Sequence, residues 1–215
     1  MTATTSTEAG KYLSNCPPPL VADTSVVINL IATGFASPII EALRHSLIVA
    51  DVVPSELAIG SGRGRTDLER FNELVNGAII KVASLGDLGM QHFESLVIGP
   101  AAETLDDGEA ATIACAIERS GVAYIDERKA WRICSERYKA LNVGSTVDLL
   151  THADVRAQLS DETVADAIYN ALQRGRMSVL PTHFSVVVSL IGAERAALCE
   201  SLPRSIRLSA QKPAM

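Results

Sequence analysis

Along the first two thirds of the chain, apolar residues fall in short consecutive runs: "PLVAD", "LIVADVV", "AIIKVAS", "VAYID" and "NVGS". Longer segments lie between them, among them "SVVINLIATG", "IIEALRHS", "DDGEAATIACAIERSG" and "ERKAWRICSERYKAL". Runs with apolar residues at successive positions suit strands covered on both faces, and their alternation with helices predicts a parallel sheet. The expected fold class is α/β, with a doubly wound, mainly parallel sheet. The clearest helix is "DDGEAATIACAIERSG", where Asp106 and Glu109 have capping-box spacing and Gly121 stands at the expected C-terminal stop.

Before the first run, residues 1–19 are rich in Thr, Ser and Ala, and we read them as a disordered tail. The α/β unit is expected over 20–150. Beyond it, "SDETVADAIYNALQRGR", with Ser160 or Asp161 as cap and Gly175 as stop, and "FSVVVSLIGAERAALCESL" predict a C-terminal helical extension over 151–215.

Composition narrows the function classes. No apolar run approaches the roughly 18 residues of a membrane span, so a protein of the cytosol without a membrane partner is expected. The four cysteines, Cys16, Cys115, Cys134 and Cys199, form no CxxC pair, which favours reduced thiols over a zinc site. The four histidines are equally dispersed. A net charge of −6 disfavours a general nucleic-acid binder, so any phosphate contact has to be local. Two basic stretches qualify: "GSGRGRTDLER", read as a flexible loop bearing Arg63, Arg65 and Arg70, and the cluster Arg128, Lys129, Arg132, Arg137 and Lys139. Solvated loop and helix faces are the simpler reading of both.

The candidate chemistry lies in acids at strand ends. Asp23 closes the first apolar run, and Asp126, with Glu127 beside it, closes "VAYI". In doubly wound sheets ligands bind beyond the carboxyl ends of the strands, where the winding order reverses. If the two strands are neighbours there, Asp23 and Asp126 face each other across that crevice. Close carboxylates require a shared proton, a basic partner or a divalent cation. Glu56 in "PSELAIG" and Glu109 in "DDGEA" are two further acids near predicted helix starts, where capping alone also accounts for them. Asp23 equally suits an N-cap for "SVVINLI", a role open to Ser25 too.

With these residues in order, the chain resembles the PIN-domain nucleases, the family that includes VapC-type toxins of toxin–antitoxin systems. The resemblance is carried by "ADTS" at 22–25, "ELAIG" at 56–60, "GEAATIACA" beginning at Gly108 and "YIDERKA" beginning at Tyr124, with "LNVGSTVDLL" after them. It departs from the toxin pattern in having Glu109 for an Asp, and Tyr124 and Ile125 before Asp126 in place of a Thr-x pair. It implies a metal-dependent ribonuclease in which Asp23, Glu109 and Asp126 hold Mg²⁺ or Mn²⁺, directly or through water, with Glu127 as a supplementary ligand. Glu56 would orient a water or a second ion. Thr24, Ser25, Arg63, Arg65 and Arg128 would contact RNA phosphates. An antitoxin partner and a homodimer are further implications. The competing expectation is a non-catalytic PIN-like module held by a protein partner. An aspartyl phosphatase lacks its second acid, since Ser25 stands in that place, and a dinucleotide binder lacks its GxGxxG after the first strand.

Overall fold

A computed structural model of the chain describes residues 18–59 and 64–210, with the backbone alone at 64, 65 and 210. Its first half runs β1 (Leu20–Ala22), α1 (Thr24–Thr33), α2 (Ala36–Ala42), β2 (Leu47–Ala50), α3 (Val53–Ile59), α4 (Gly64–Asn76), β3 (Ile80–Ala83) and α5 (Asp87–Val97). Then follow α6 (Asp107–Glu118), β4 (Val122–Tyr124), α7 (Arg128–Arg137), β5 (Asn142–Gly144), α8 (Thr146–Leu150), α9 (Ala153–Gln158) and α10 (Asp161–Asn170). The chain closes with a π-turn at Ala171–Gly175, a 3₁₀ turn at Pro181–His183, α11 (Phe184–Ile191), α12 (Ala193–Leu198) and α13 (Arg204–Ala210).

The strands form one parallel sheet in the order β3-β2-β1-β4-β5. This is the doubly wound arrangement, and its reversal lies between β1 and β4, where Val21 pairs with Ala123 and Ala22 with Tyr124. Alternation along each strand divides the core in two, because successive side chains point to opposite faces. Leu20 and Ala22 face one cluster, with α1 and the C-terminal helices, while Val21, Ala123 and Ile125 face the other, with Leu96 of α5 and Ile113 of α6. The extension belongs to the first of these cores: Val164, Ile168, Leu172 and Val187 are buried in the same cluster as Leu30 of α1. Among the described residues no single helix is long and apolar enough to cross a membrane.

Several local expectations change. The stretch read as a flexible loop from Gly60 is helical from Gly64 onward, so Arg70 stands on α4. Its charged and apolar residues alternate with helical spacing, and buried Phe71 and Leu74 anchor it. Gly121 does not take the left-handed stop after α6; Ser120 does, at φ 50°. A Schellman pair closes the helix, with Ser120 N–H on the Ile117 carbonyl and Gly121 N–H on that of Ala116. Gly121 is needed for proximity instead, since a Cβ there would stand 2.6 Å from the Pro19 carbonyl oxygen. Gly175 repeats the pattern: the left-handed residue is Arg176, at φ 56°, and a Cβ on Gly175 would meet Asn29 Oδ1 at 2.5 Å. The final apolar segment is two helices, because Gly192 at φ 83° separates α11 from α12. Cys115, Cys134 and Cys199 are buried free thiols, and Cys16 lies outside the described residues with most of the N-terminal tail.

Candidate active site

The first strand is three residues long because Asp23 ends it, accepting hydrogen bonds on Oδ2 from Ser25 N–H at 3.2 Å and Ser25 Oγ at 2.7 Å. Asp23 is thus the N-cap of α1 and a buried acid at the switch point together. Asp126 follows the adjacent strand and is held from three directions. Asn29 Nδ2 of α1 donates to its Oδ2 at 2.8 Å, Thr146 Oγ1 to the same oxygen at 2.6 Å, and Thr146 N–H to Oδ1 at 2.8 Å. A carboxylate offers about four acceptor sites, so roughly one remains for a ligand.

Across the crevice, the N-terminus of α6 supplies the opposite wall. Asp106 caps it, its Oδ1 accepting from Glu109 N–H at 2.9 Å. Glu109, 8% exposed, and Glu127, exposed at the start of α7, complete the acids that line a cleft of ≈ 310 Å³ with Asp23, Asp106 and Asp126. The third wall comes from the extension, where Gly175, Arg176 and Ser178 close the same cleft.

Glu56 stands beside this cleft and does not line it. Thr24 Oγ1 donates a short hydrogen bond to its Oε2, and a Cβ on Gly108 would lie 2.6 Å from that same oxygen. The glycine before Glu109 therefore exists to admit the Glu56 carboxylate against the helix start.

The electrostatics follow from burying several acids together. Desolvation pushes the Glu109 carboxyl up to about 7, helped by the charges of Asp106, Asp23 and Glu127. Asp126 is pushed up to about 6 by burial, with the Thr146 and Asn29 hydrogen bonds pulling it back and Asp23 adding repulsion. Burial also raises Asp23 against the pull of Ser25, and Glu56 against the pull of Thr24. Each group is held away from its charged form, which a proton or a cation relieves.

The oxygen-only donor set has the chemistry of a hard divalent cation. Among the described residues, however, no three Asp, Glu, His or Cys side chains come together as a direct ligand set. Mg²⁺ ordinarily takes one or two carboxylates and keeps several waters. The cleft therefore fits a hydrated cation rather than a closed protein cage.

The structure brings Asp23, Glu109, Asp126 and Glu127 to one cleft, with Ser25 in its lining. Thr24 is engaged by Glu56. Arg128 is exposed at the first residue of α7 and outside the cleft lining, and Arg63 falls outside the described residues, as does the Arg65 side chain. Three others of the second basic cluster are used within the fold: Lys129 and Arg132 donate to the Ala101 and Ala102 carbonyls, and Arg137 to that of Ser95. Sequence reasoning missed Asn29, Thr146, Asp106 and Arg176 as site residues. Asn29 had a signal, a polar residue buried in the otherwise apolar stripe of α1, and so did Thr146, in a hydroxyl pair directly after a strand. Asp106 was legible only as a cap.

Comparison with known proteins decides the family. A PIN-domain family model matches residues 19–193. The chain belongs to the PIN-domain family. The match begins just before β1 and continues through α11, so it includes most of the extension. PIN domains have a nuclease-type fold and typically bind divalent metals. No curated protein and no solved structure gives a match.

Proposed function

We infer that this PIN domain is a ribonuclease that hydrolyses RNA phosphodiester bonds with Mg²⁺ or Mn²⁺. The observation that carries the reading is the cleft at the β1–β4 switch point, which five carboxylates line and where Glu109 is pushed up to about 7. Such a set is costly unless a cation neutralises it, and a polyanion gains access only once that has happened. Asp23 and Asp126 would hold the cation, with Glu109, Asp106 and Glu127 bonding its waters. When bound, it supplies charge neutralisation at a phosphate and a water that is nucleophilic near neutral pH.

The chain's own residues do the positioning. Ser25 fixes Asp23, while Asn29 and Thr146 fix Asp126, so neither carboxylate has to be ordered when substrate arrives. Glu109, pushed up to about 7 in the metal-free cleft, gains most from neutralisation and would bond a water there. Glu56, bound to Thr24 and seated over Gly108, supports the junction of α1 and α6.

The test is cleavage of structured RNA, single-stranded RNA and single-stranded DNA in Mn²⁺ or Mg²⁺, with EDTA and a folded Asp126→Asn protein as controls. Loss of RNA cleavage in both controls is expected. Among the described residues no three acids form a direct ligand set, and this favours a second reading, a PIN-like module that binds without cleaving. Retained RNA binding with no cleavage in either metal would select it. The toxin role, with an antitoxin or a second copy of the chain as partner, rests on the sequence resemblance alone.

A further inference from the structure

Arg176 occupies a singular position. It is the only cationic side chain among the described residues that line the acid cleft, and it also lines a second cavity of ≈ 560 Å³ on the extension. Ser178 is likewise common to both. The second cavity adds Gln173, Ser201 and Glu200 to this shared wall. Arg176 is exposed, and its guanidinium has no hydrogen bond or ion pair among the described residues. By contrast, Arg195, also on the extension, is paired with Asp166.

The backbone aims this residue by design of the turn. The π-turn ends with the Arg176 and Met177 N–H groups both on the Ala171 carbonyl. Arg176 is left-handed, at φ 56° and ψ 38°, where glycine is the comfortable choice. Gly175 lets this turn sit directly on α1 against Asn29, the residue that holds Asp126. A flexible, unpaired cation is thereby fixed one residue from the catalytic network, at the boundary of two polar cavities.

We propose that Arg176 binds the RNA phosphate next to the scissile one, and that the strand leaves the acid cleft across the C-terminal extension through the Gln173–Ser201 cavity. This rests on the ribonuclease reading and assigns its substrate as a single strand longer than a dinucleotide. An unpaired strand suits the site because its backbone can bend over the Arg176–Ser178 wall, and polar groups in the second cavity meet its sugar or base edges.

The experiment compares wild type with Arg176→Gln, Arg176→Lys and Arg176→Gly. The glycine variant removes the guanidinium while favouring the same left-handed turn, so it keeps the fold. Arg156→Gln, which removes a charge paired with Asp161 elsewhere on the surface, is the control. Cleavage in Mn²⁺ is followed on a short single-stranded oligoribonucleotide and on a dinucleoside monophosphate. Binding is followed by anisotropy in the Asp126→Asn background over a range of salt. On the oligonucleotide, Arg176→Gln and Arg176→Gly are expected to raise KM and Kd about tenfold. The slope of log K against log salt should fall by about 0.7, one phosphate contact on a single strand. Arg176→Lys should keep that slope, and the rise in KM caused by Arg176→Gln, measured against Arg156→Gln, should be several-fold larger on the oligonucleotide than on the dinucleoside.

An unchanged slope and KM, with a wild type that cleaves RNA, would overturn the Arg176 assignment and leave the nuclease reading intact. Equal losses on both substrates would put the guanidinium at the scissile phosphate and overturn the flanking track. A wild type that neither binds nor cleaves any RNA would overturn both.

Discussion

The two walls of the cleft are built on opposite principles. On the α6 wall, Asp106 and Glu109 are locked by helix capping and accumulate negative charge in a partly dry place. On the extension wall, a π-turn and a left-handed arginine present hydroxyl and cationic groups, held by close backbone approach rather than by capping. The acid wall can attract a cation but repels a polyanion, and the extension wall does the reverse. A phosphodiester bound with a cation needs both.

Breaking the acid wall at its metal-facing residues should have the largest effect. Asp23→Asn and Asp126→Asn are each expected to lower RNA cleavage by at least about 100-fold; the melting temperature of metal-free Asp23→Asn stays the same or rises, because a buried repulsive charge is lost while one oxygen still accepts from Ser25, whereas Asp126→Asn turns an amide NH2 toward a donor and offsets that gain. Cleavage rates and thermal melts on the same preparations check this. A marked fall in the melting temperature of Asp23→Asn would mean that this carboxylate is structural rather than strained.

Next come the glycines that admit close neighbours. Gly108→Ala drives a methyl into the Glu56 carboxylate, and Gly175→Ala drives one into Asn29 Oδ1. Gly175→Ala is expected to cost about 1–3 kcal/mol in chemical unfolding, and Gly108→Ala less, because the Glu56 carboxylate is the movable end of its side chain. Activity should separate them. Gly108→Ala disturbs the acid wall and affects cleavage of every substrate, whereas Gly175→Ala moves the Arg176 turn and weakens oligonucleotide cleavage most.

The hydrogen bonds to Asp126 sharpen the picture at smaller amplitude. Asn29→Ala removes one donor to a buried carboxylate, for which a loss of about 1–2 kcal/mol at neutral pH is expected. Its pH profile should shift upward, since that bond holds the Asp126 carboxyl down. A stability loss without a shifted profile would reduce Asn29 to packing.

The pH dependence of stability tests the acid wall without changing a residue. Glu109 has a folded value of about 7 against 4.5 in a free chain, and Asp126 about 6 against 3.8. Between each pair of values the folded state holds more protons than the unfolded chain, so stability falls as pH rises from about 4 to about 7. Metal-free protein should therefore melt higher near pH 5 than near pH 8. Added Mn²⁺ should raise the melting temperature mainly at the upper end, where it does not compete with protons. Thermal melts across that range with and without metal test it; a metal-free protein whose stability rises with pH would contradict the strained cluster.

Part of this was legible along the chain. Runs of consecutive apolar residues announced strands buried on both faces, and the two acids at strand ends pointed to the crevice between β1 and β4, because the period of the pattern and the polarity of a strand's end are local properties. Both expected stop glycines were misread for one reason. Spacing identifies where a helix ends, but whether glycine is there for its φ or for the absence of a Cβ depends on Pro19 and Asn29, which are distant in sequence. The basic cluster on α7 is ambiguous along the chain for the same reason, because the Ala101, Ala102 and Ser95 carbonyls that take the donors of Lys129, Arg132 and Arg137 are distant in sequence.

What the sequence by itself determined is the kind of protein: alternating elements, a doubly wound sheet, and acids in the order of a PIN domain, all carried by short-range pattern and side-chain chemistry. The tertiary structure alone decided which groups share a cleft. Asn29 and Thr146 reach Asp126, Glu56 is admitted by Gly108, and Arg176 comes back from the extension, because these meetings depend on helix packing and sheet order, which no local spacing encodes.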